Sequence, residues 1–230
     1  LIENKKSKDF NNFIEKNDFV GLANLGQTCY INSFIQILYH IGKIKLIVKQ
    51  IKIPKIHMIL NSLFNKMNNA KMNIENKRIV KPTILINHFA IDPLEPGDLF
   101  EFVLNLLKQL SNDIKDLFAI IIRQETKRYE NGFDKEKIIE NSTQINRDFS
   151  IIVSPSNNHL HNALRLLFKI DEIVENDQKI EIEIKFDRLP PILLIMINRT
   201  LQQNGNLIKN HNTLLIPPHQ KVGFKTYKLF

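Results

Sequence analysis

The chain has 230 residues, is 43% hydrophobic and carries only 7 Gly and 9 Pro, enough apolar content for one large domain or two lobes with a real core. Its formal charge is +8, but the lysines are spread along an Ile-, Asn- and Lys-rich sequence instead of gathering on one element, which argues against a nucleic-acid partner. A single Cys excludes an internal disulfide and a multi-cysteine zinc site, and no window approaches the ~20 apolar residues of a membrane span.

Leu1 to Asp18 is polar and charged and reads as a lead-in segment, without the apolar stretch of a signal peptide. The chain does not begin with Met and reads as an excerpt of a longer protein, with a cytosolic or nuclear compartment fitting its cysteine usage. Gly21 to Gln27 holds two glycines and suits a tight turn. Thr28 to His40 follows as a helix, with Phe34, Ile35 and Leu38 at helical spacing and Asn32 and Gln36 elsewhere on its surface. A second helix is expected over Ile56 to Asn68, then a polar loop from Asn68 to Lys81.

Asp92-Pro-Leu-Glu-Pro-Gly-Asp98 is a dense turn that opens an amphipathic helix burying Phe102, Val103, Leu106, Leu107 and Leu110. Asp98 stands at its capping position, and Glu101 three residues later completes a capping-box pattern. Strand signals dominate from Leu117 onward, first in Phe118 to Ile122 and Phe149 to Val153. Leu160 to Ile170 returns to helix. Lys179 to Phe186 alternates strictly, with Ile180, Ile182, Ile184 and Phe186 on one face, and Leu193 to Ile197 reads as a fully buried strand. Helices followed by mostly antiparallel strands indicate an α+β protein.

Chemistry concentrates around Cys29. A nucleophilic cysteine acts as its thiolate, and a helix N-terminus favours that form through unpaired N–H groups. Acyl transfer also needs donors facing the oxyanion that develops at the attacked carbonyl. Asn24-Leu-Gly-Gln-Thr-Cys29 has the parts for this: Gly26 permits a close turn, Cys29 sits at the expected helix start, and Asn24 is a nearby amide donor. A small buried Cys with no chemical role is the alternative that spacing alone leaves open.

Gly21-Leu-Ala-Asn-Leu-Gly-Gln-Thr-Cys-Tyr-Ile-Asn-Ser33, followed by Phe34-Ile-Gln36, resembles the cysteine box of the ubiquitin-specific protease family, G-L-x-N-L-G-x-T-C-Y-x-N-S-x-x-Q, at every fixed position. The resemblance implies Cys29 as nucleophile and Asn24 as oxyanion donor, with Tyr30, Asn32 and Gln36 as structural support. Asp98-Leu-Phe-Glu-Phe102 resembles the family's Q-Q-D-A-x-E-F segment, which implies a contact between Asp98 and the extended ubiquitin tail; Pro96-Gly97 replaces the Gln pair. Leu189-Pro-Pro-Ile-Leu-Leu-Ile-Met-Ile-Asn-Arg199 resembles a palm strand of the family, with Thr200 where Phe is usual, and Ile216-Pro217 and Tyr227-Lys-Leu229 are similar to the elements that lead to the last strands.

The implied fold is papain-like, a helical thumb over about 19–116 and an antiparallel β palm with fingers over about 117–230. The family's fingers often hold zinc on two C-x-x-C pairs. The stretches Gln124 to Glu136 and Asp171 to Lys179 contain no Cys, so neither zinc nor any other cofactor is expected, and the fingers should be reduced or held by packing alone. The implied partners are ubiquitin and ubiquitinated proteins. The family's catalytic His lies in a box downstream of the Tyr227-Lys-Leu229 element, and none of the seven histidines of this chain stands in such a box. The chain is therefore expected to be an incomplete catalytic core; a ubiquitin-binding or scaffold relative without catalysis is the second reading.

Overall fold

The computed structural model describes residues 19–72, 78–129, 138–155, 159–167, 169–175, 178–203 and 205–229. The expected lead-in, Leu1 to Asp18, lies outside the described residues. The chain divides into two units, one ending at Ile114 and one beginning at Lys115. Helix dominates the first and strand the second, an α+β composition.

In the first unit, β1 (Gly21–Leu22) leads into α1 (Cys29–His40), whose Ile31, Phe34, Ile35, Leu38 and Tyr39 are buried. The apolar spacing of Thr28 to His40 thus becomes one helical stripe, with Thr28 at the N-cap position. A second helix, α2 (Gly42–Gln50), was not expected. Its Ile44 and Val48 sit one turn apart and are buried, while Leu46 between them is exposed and blurs the period.

α3 (Lys55–Met72) starts where the pattern places it but runs four residues past Asn68. Met67 is its last buried residue, so the final turn carries no apolar signal. Of the expected loop from Asn68 to Lys81, residues 73–77 lie outside the described residues and Ile79–Val80 forms β2, which pairs in parallel with β1 through Gly21 to Ile79 and Leu22 to Val80. α4 (Thr83–His88) and α5 (Leu99–Gln109) complete the unit's helices up to α6 (Asn112–Phe118), in which the boundary falls. α5 buries Phe102, Val103, Leu106 and Leu107.

The second unit is built on a four-stranded antiparallel sheet in the order β4-β3-β7-β6, from β3 (Ile120–Tyr129), β4 (Ile138–Asp148), β6 (Asp171–Glu175) and β7 (Gln178–Arg188). Phe118, expected at the head of β3, ends α6 instead. Of the two stretches without Cys, Gln124 to Glu136 begins on the second half of β3, with residues 130–136 outside the described residues, and Asp171 to Lys179 holds β6 and the start of β7. Ion pairs also link the strands of this sheet. Lys185 bridges Glu125 and Glu183, Arg123 pairs with Asp187, and Lys179 lies between Glu172 and Glu181. The alternation read in Lys179 to Phe186 sorts these charges onto one face and the isoleucines onto the other.

A smaller core gathers Ile120, Ile151, Val153, Leu160, Leu164, Leu189 and Val222. It is framed by β5 (Ile151–Val153), α7 (Leu160–Leu166), β8 (Ile195–Ile197) and the hairpin of β11 (His219–Val222) with β12 (Lys225–Lys228). The strand expected over Leu193 to Ile197 is only half-buried: among the described residues β8 has one strand neighbour, β5, with which it runs parallel. β9 (Thr200–Gln203) and β10 (Asn206–Lys209) form a separate hairpin. The Leu189-Pro190 carbonyls are held from β12: Lys225 Nζ donates to Leu189 O at 2.6 Å and Tyr227 Oη to Pro190 O at 2.7 Å.

Candidate active site

Asn24, Cys29 and Asp98 all belong to the helical unit. Cys29 is the first residue of α1 and its side chain is exposed, so it is not the small buried residue that spacing alone would allow. Helix geometry leaves the N–H groups of the first turn without carbonyl partners inside the helix. One of them, Thr28 N–H, donates to Asn24 Oδ1 at 3.1 Å. Thr28 Oγ1 lies 3.0 Å from the same oxygen and also accepts from Leu25 N–H at 3.1 Å. Both groups that face Asn24 Oδ1 come from one fully buried threonine. Asn24 itself is exposed, and its Nδ2 has no partner among the described residues.

The backbone before α1 is pinned from the helix side. Asn32 Nδ2 donates to Ala23 O at 3.1 Å and to Leu22 O at 3.4 Å, and Gln36 Nε2 donates to Val20 O at 2.7 Å. Asn32 and Gln36 are four residues apart, one turn of α1, so both reach the same incoming strand. Asn32 Oδ1 is buried without a partner among the described residues. Ser33 Oγ donates back to Cys29 O at 2.8 Å.

Residues 92–98 close the loop from its other side. Gln27 N–H donates to Pro93 O at 2.6 Å and Gln27 Nε2 to Leu94 O at 2.9 Å. Gly26 has φ +137°, and a Cβ there would collide with Pro93 O. At Gly97 a Cβ would collide with the phenol of Tyr30. Tyr30 packs edge-on against Phe102 of α5, and burial, then the charge of Glu101 and the presence of Cys29, push its phenol pKa up. It is a neutral hydroxyl at physiological pH.

Asp98 caps α5 as its position indicates: Oδ1 accepts from Glu101 N–H at 2.8 Å. The carboxylate is exposed, and its other oxygen has no partner among the described residues. Asp92 Oδ1 tightens the same turn by accepting from Leu94 N–H at 2.8 Å.

The histidines of this unit are placed for other tasks. His40 is the last residue of α1, about 16 Å along the axis from Cys29, and its ring meets Phe19 and Tyr39. His57 is buried; its Nδ1 faces Ile51 O at 3.2 Å and its Nε2 accepts from Ser111 N–H at 3.1 Å. That pairing fixes the neutral tautomer with its proton on Nδ1, and burial lowers the pKa. His88 Nε2 donates to Gln109 Oε1 at 2.8 Å, at the opposite end of α5 from Asp98. Among the described residues no group of three or more His, Cys, Asp or Glu side chains is placed to hold a metal ion.

The exposed thiol of Cys29, the exposed Asn24 hydrogen-bonded through its oxygen to Thr28, and the cap carboxylate of Asp98 lie on two segments joined by the hydrogen bonds of Gln27 to Pro93 O and Leu94 O. The model of the ubiquitin carboxyl-terminal hydrolase family matches residues 20–228. The chain belongs to that family. It is also similar to ubiquitin carboxyl-terminal hydrolase 48 of Danio rerio, 29% identical over 119 residues, which is 44% of this chain and 11% of that protein. The chain thus spans a small part of that relative's length. No helix among the described residues is long and apolar enough to cross a membrane.

Two features of the site were not read from the sequence. Thr28 precedes the helix, where a hydroxyl residue signals an N-cap, yet its side chain makes no capping bond and turns to Asn24 instead. The contact between Gly26 and Pro93 joins positions 67 residues apart, beyond any local pattern.

Proposed function

We propose that this chain carries the nucleophile and the oxyanion donor of a thiol-dependent ubiquitinyl hydrolase with a papain-like fold. The helical unit serves as the thumb, and the strand-rich unit as palm and fingers. Cys29 Sγ, as thiolate, attacks the carbonyl carbon of the C-terminal glycine of ubiquitin. The carbonyl oxygen becomes an oxyanion and receives a hydrogen bond from Asn24 Nδ2. The C–N bond to the substrate amine then breaks, the amine leaves with a proton, and the Cys29 thioester is hydrolysed by water. Asp98 receives the extended tail of ubiquitin on the carboxylate oxygen that its cap bond leaves open. None of His40, His57 and His88 is assigned as the base, since each is engaged elsewhere.

The observation that carries this reading is an exposed Cys29 at the start of α1 together with an Asn24 whose oxygen is occupied and whose nitrogen, among the described residues, is not. The test is reaction of the full-length protein with ubiquitin bearing a C-terminal electrophile. Labelling is expected at Cys29 and is lost in Cys29→Ala. No labelling, with ubiquitin affinity retained, would favour a ubiquitin-binding or scaffold relative without catalysis. The engaged histidines of the helical unit are the observation that motivates this second reading.

A further inference from the structure

We propose that Thr28 is a positioning residue for the acylation assigned to Cys29, its buried hydroxyl fixing which end of the Asn24 carboxamide faces the oxyanion. The inference rests on the reading of Asn24 as oxyanion donor and names the group on which that reading depends.

An Asn side chain is nearly symmetric in shape, and its ends differ in chemistry: the oxygen only accepts and the nitrogen only donates. Half a turn about the last torsion would exchange them with little steric change. What selects one orientation is the set of groups facing it. Thr28 N–H, 3.1 Å from Asn24 Oδ1, can only donate. Thr28 Oγ1 accepts from Leu25 N–H at 3.1 Å, and its own proton is directed to Asn24 Oδ1 at 3.0 Å.

In the flipped orientation the amide nitrogen would meet the Thr28 N–H, donor against donor. The hydroxyl proton of Thr28, which has 0% exposure, would also lose its acceptor. Both penalties act together, so Nδ2 is held outward before any substrate arrives. This is the preorganisation an oxyanion donor needs.

Thr28→Val keeps the branched shape and the buried volume and removes only the hydroxyl. It leaves Asn24 Oδ1 a single donor and Leu25 N–H no acceptor. The experiment measures hydrolysis of a fluorogenic C-terminal amide of ubiquitin by the full-length protein, with melting temperatures recorded for every variant. Thr28→Val is expected to lower kcat about 10- to 100-fold with KM nearly unchanged, less than the ~10²–10³-fold cost of losing an oxyanion donor outright. Thr28→Ser retains the hydroxyl and is expected to stay within about 3-fold of the unsubstituted protein, reading the same hydroxyl if the valine variant fails to fold.

The decisive background is Asn24→Ala, where Thr28→Val should cost nothing further, because the threonine acts through the amide. A merely structural threonine would slow both backgrounds equally, and that result overturns the proposal. So does a Thr28→Val enzyme with unchanged kcat, or a Thr28→Ser enzyme as slow as the valine. Failure of the unsubstituted full-length protein to turn over would instead bring down the acylation reading itself, and the role of Thr28 with it.

Discussion

The two units handle apolar surface differently. In the helical unit, side chains such as Ile31, Leu38, Leu60, Leu63 and Met67 are sealed between helices, at 0% exposure. In the strand-rich unit the long sheet buries little of itself: β4 is exposed along its whole length, and β7 is half-buried at most positions. Cys29, Asn24 and Asp98 all stand on the sealed unit. Close packing resists displacement of its parts, so a site needing placement to fractions of an ångström is better carried there than on a sheet with open faces.

Substitutions in the two cores should separate the units most. Leu60→Ala removes a fully buried side chain from α3 and should cost about 2–5 kcal/mol. Ile184→Ala, on the half-buried face of β7, should cost clearly less in urea unfolding. Equal losses would mean that the apolar face of the sheet is as well covered as the helical core.

Acid should divide the units next. Burial lowers the His57 pKa below its unfolded value, so its contribution to stability is present above about pH 6.5 and is lost as pH falls through the folded value. In the sheet the hydrogen bond from Lys185 holds the Glu125 carboxyl below the usual range, and that contribution disappears only at lower pH. Hydrogen exchange between pH 7 and 5 should therefore show protection falling first around His57 and Ser111, while β3 and β7 hold. His57→Gln should flatten that early loss.

A smaller effect tests the coupling of stability and site at Asp98. Asp98→Ala should cost about 1 kcal/mol by removing the cap of α5. Asp98→Asn should keep most of the cap while removing the charge. If Asp98 also receives the ubiquitin tail, the asparagine variant should raise KM at nearly unchanged melting temperature. The smallest effect belongs to the ion pairs of the sheet, which are solvent-facing and screened by salt. Raising NaCl to about 1 M should lower protection in β3 and β7 slightly and leave α1 and α3 unaffected.

Much of the helical unit was legible because its elements declare themselves locally. The apolar spacing of α1 and α5 and the Asp98 cap are each contained within a dozen residues. α2 was not legible, since Gly42 opens it and exposed Leu46 breaks the stripe. The β1–β2 pair is only two residues long and joins positions nearly sixty apart. β4 was missed because its residues are exposed on both faces, so no alternation marks it. At the site, the residue types around Cys29 were readable, but the direction of a hydroxyl was not. Only the fold reveals that Thr28 turns to Asn24 rather than capping the helix it precedes.

The approach of residues 92–98 to the Cys29 loop has one more consequence. Two positions on facing segments, 26 and 97, have no room for a side chain, because the opposite segment already fills it. Neither segment is a free-standing module. A graft of residues 21–36 into another framework would have to bring residues 92–98 as one cassette, and randomising either segment alone would return glycine at that segment's own crowded position, 26 or 97.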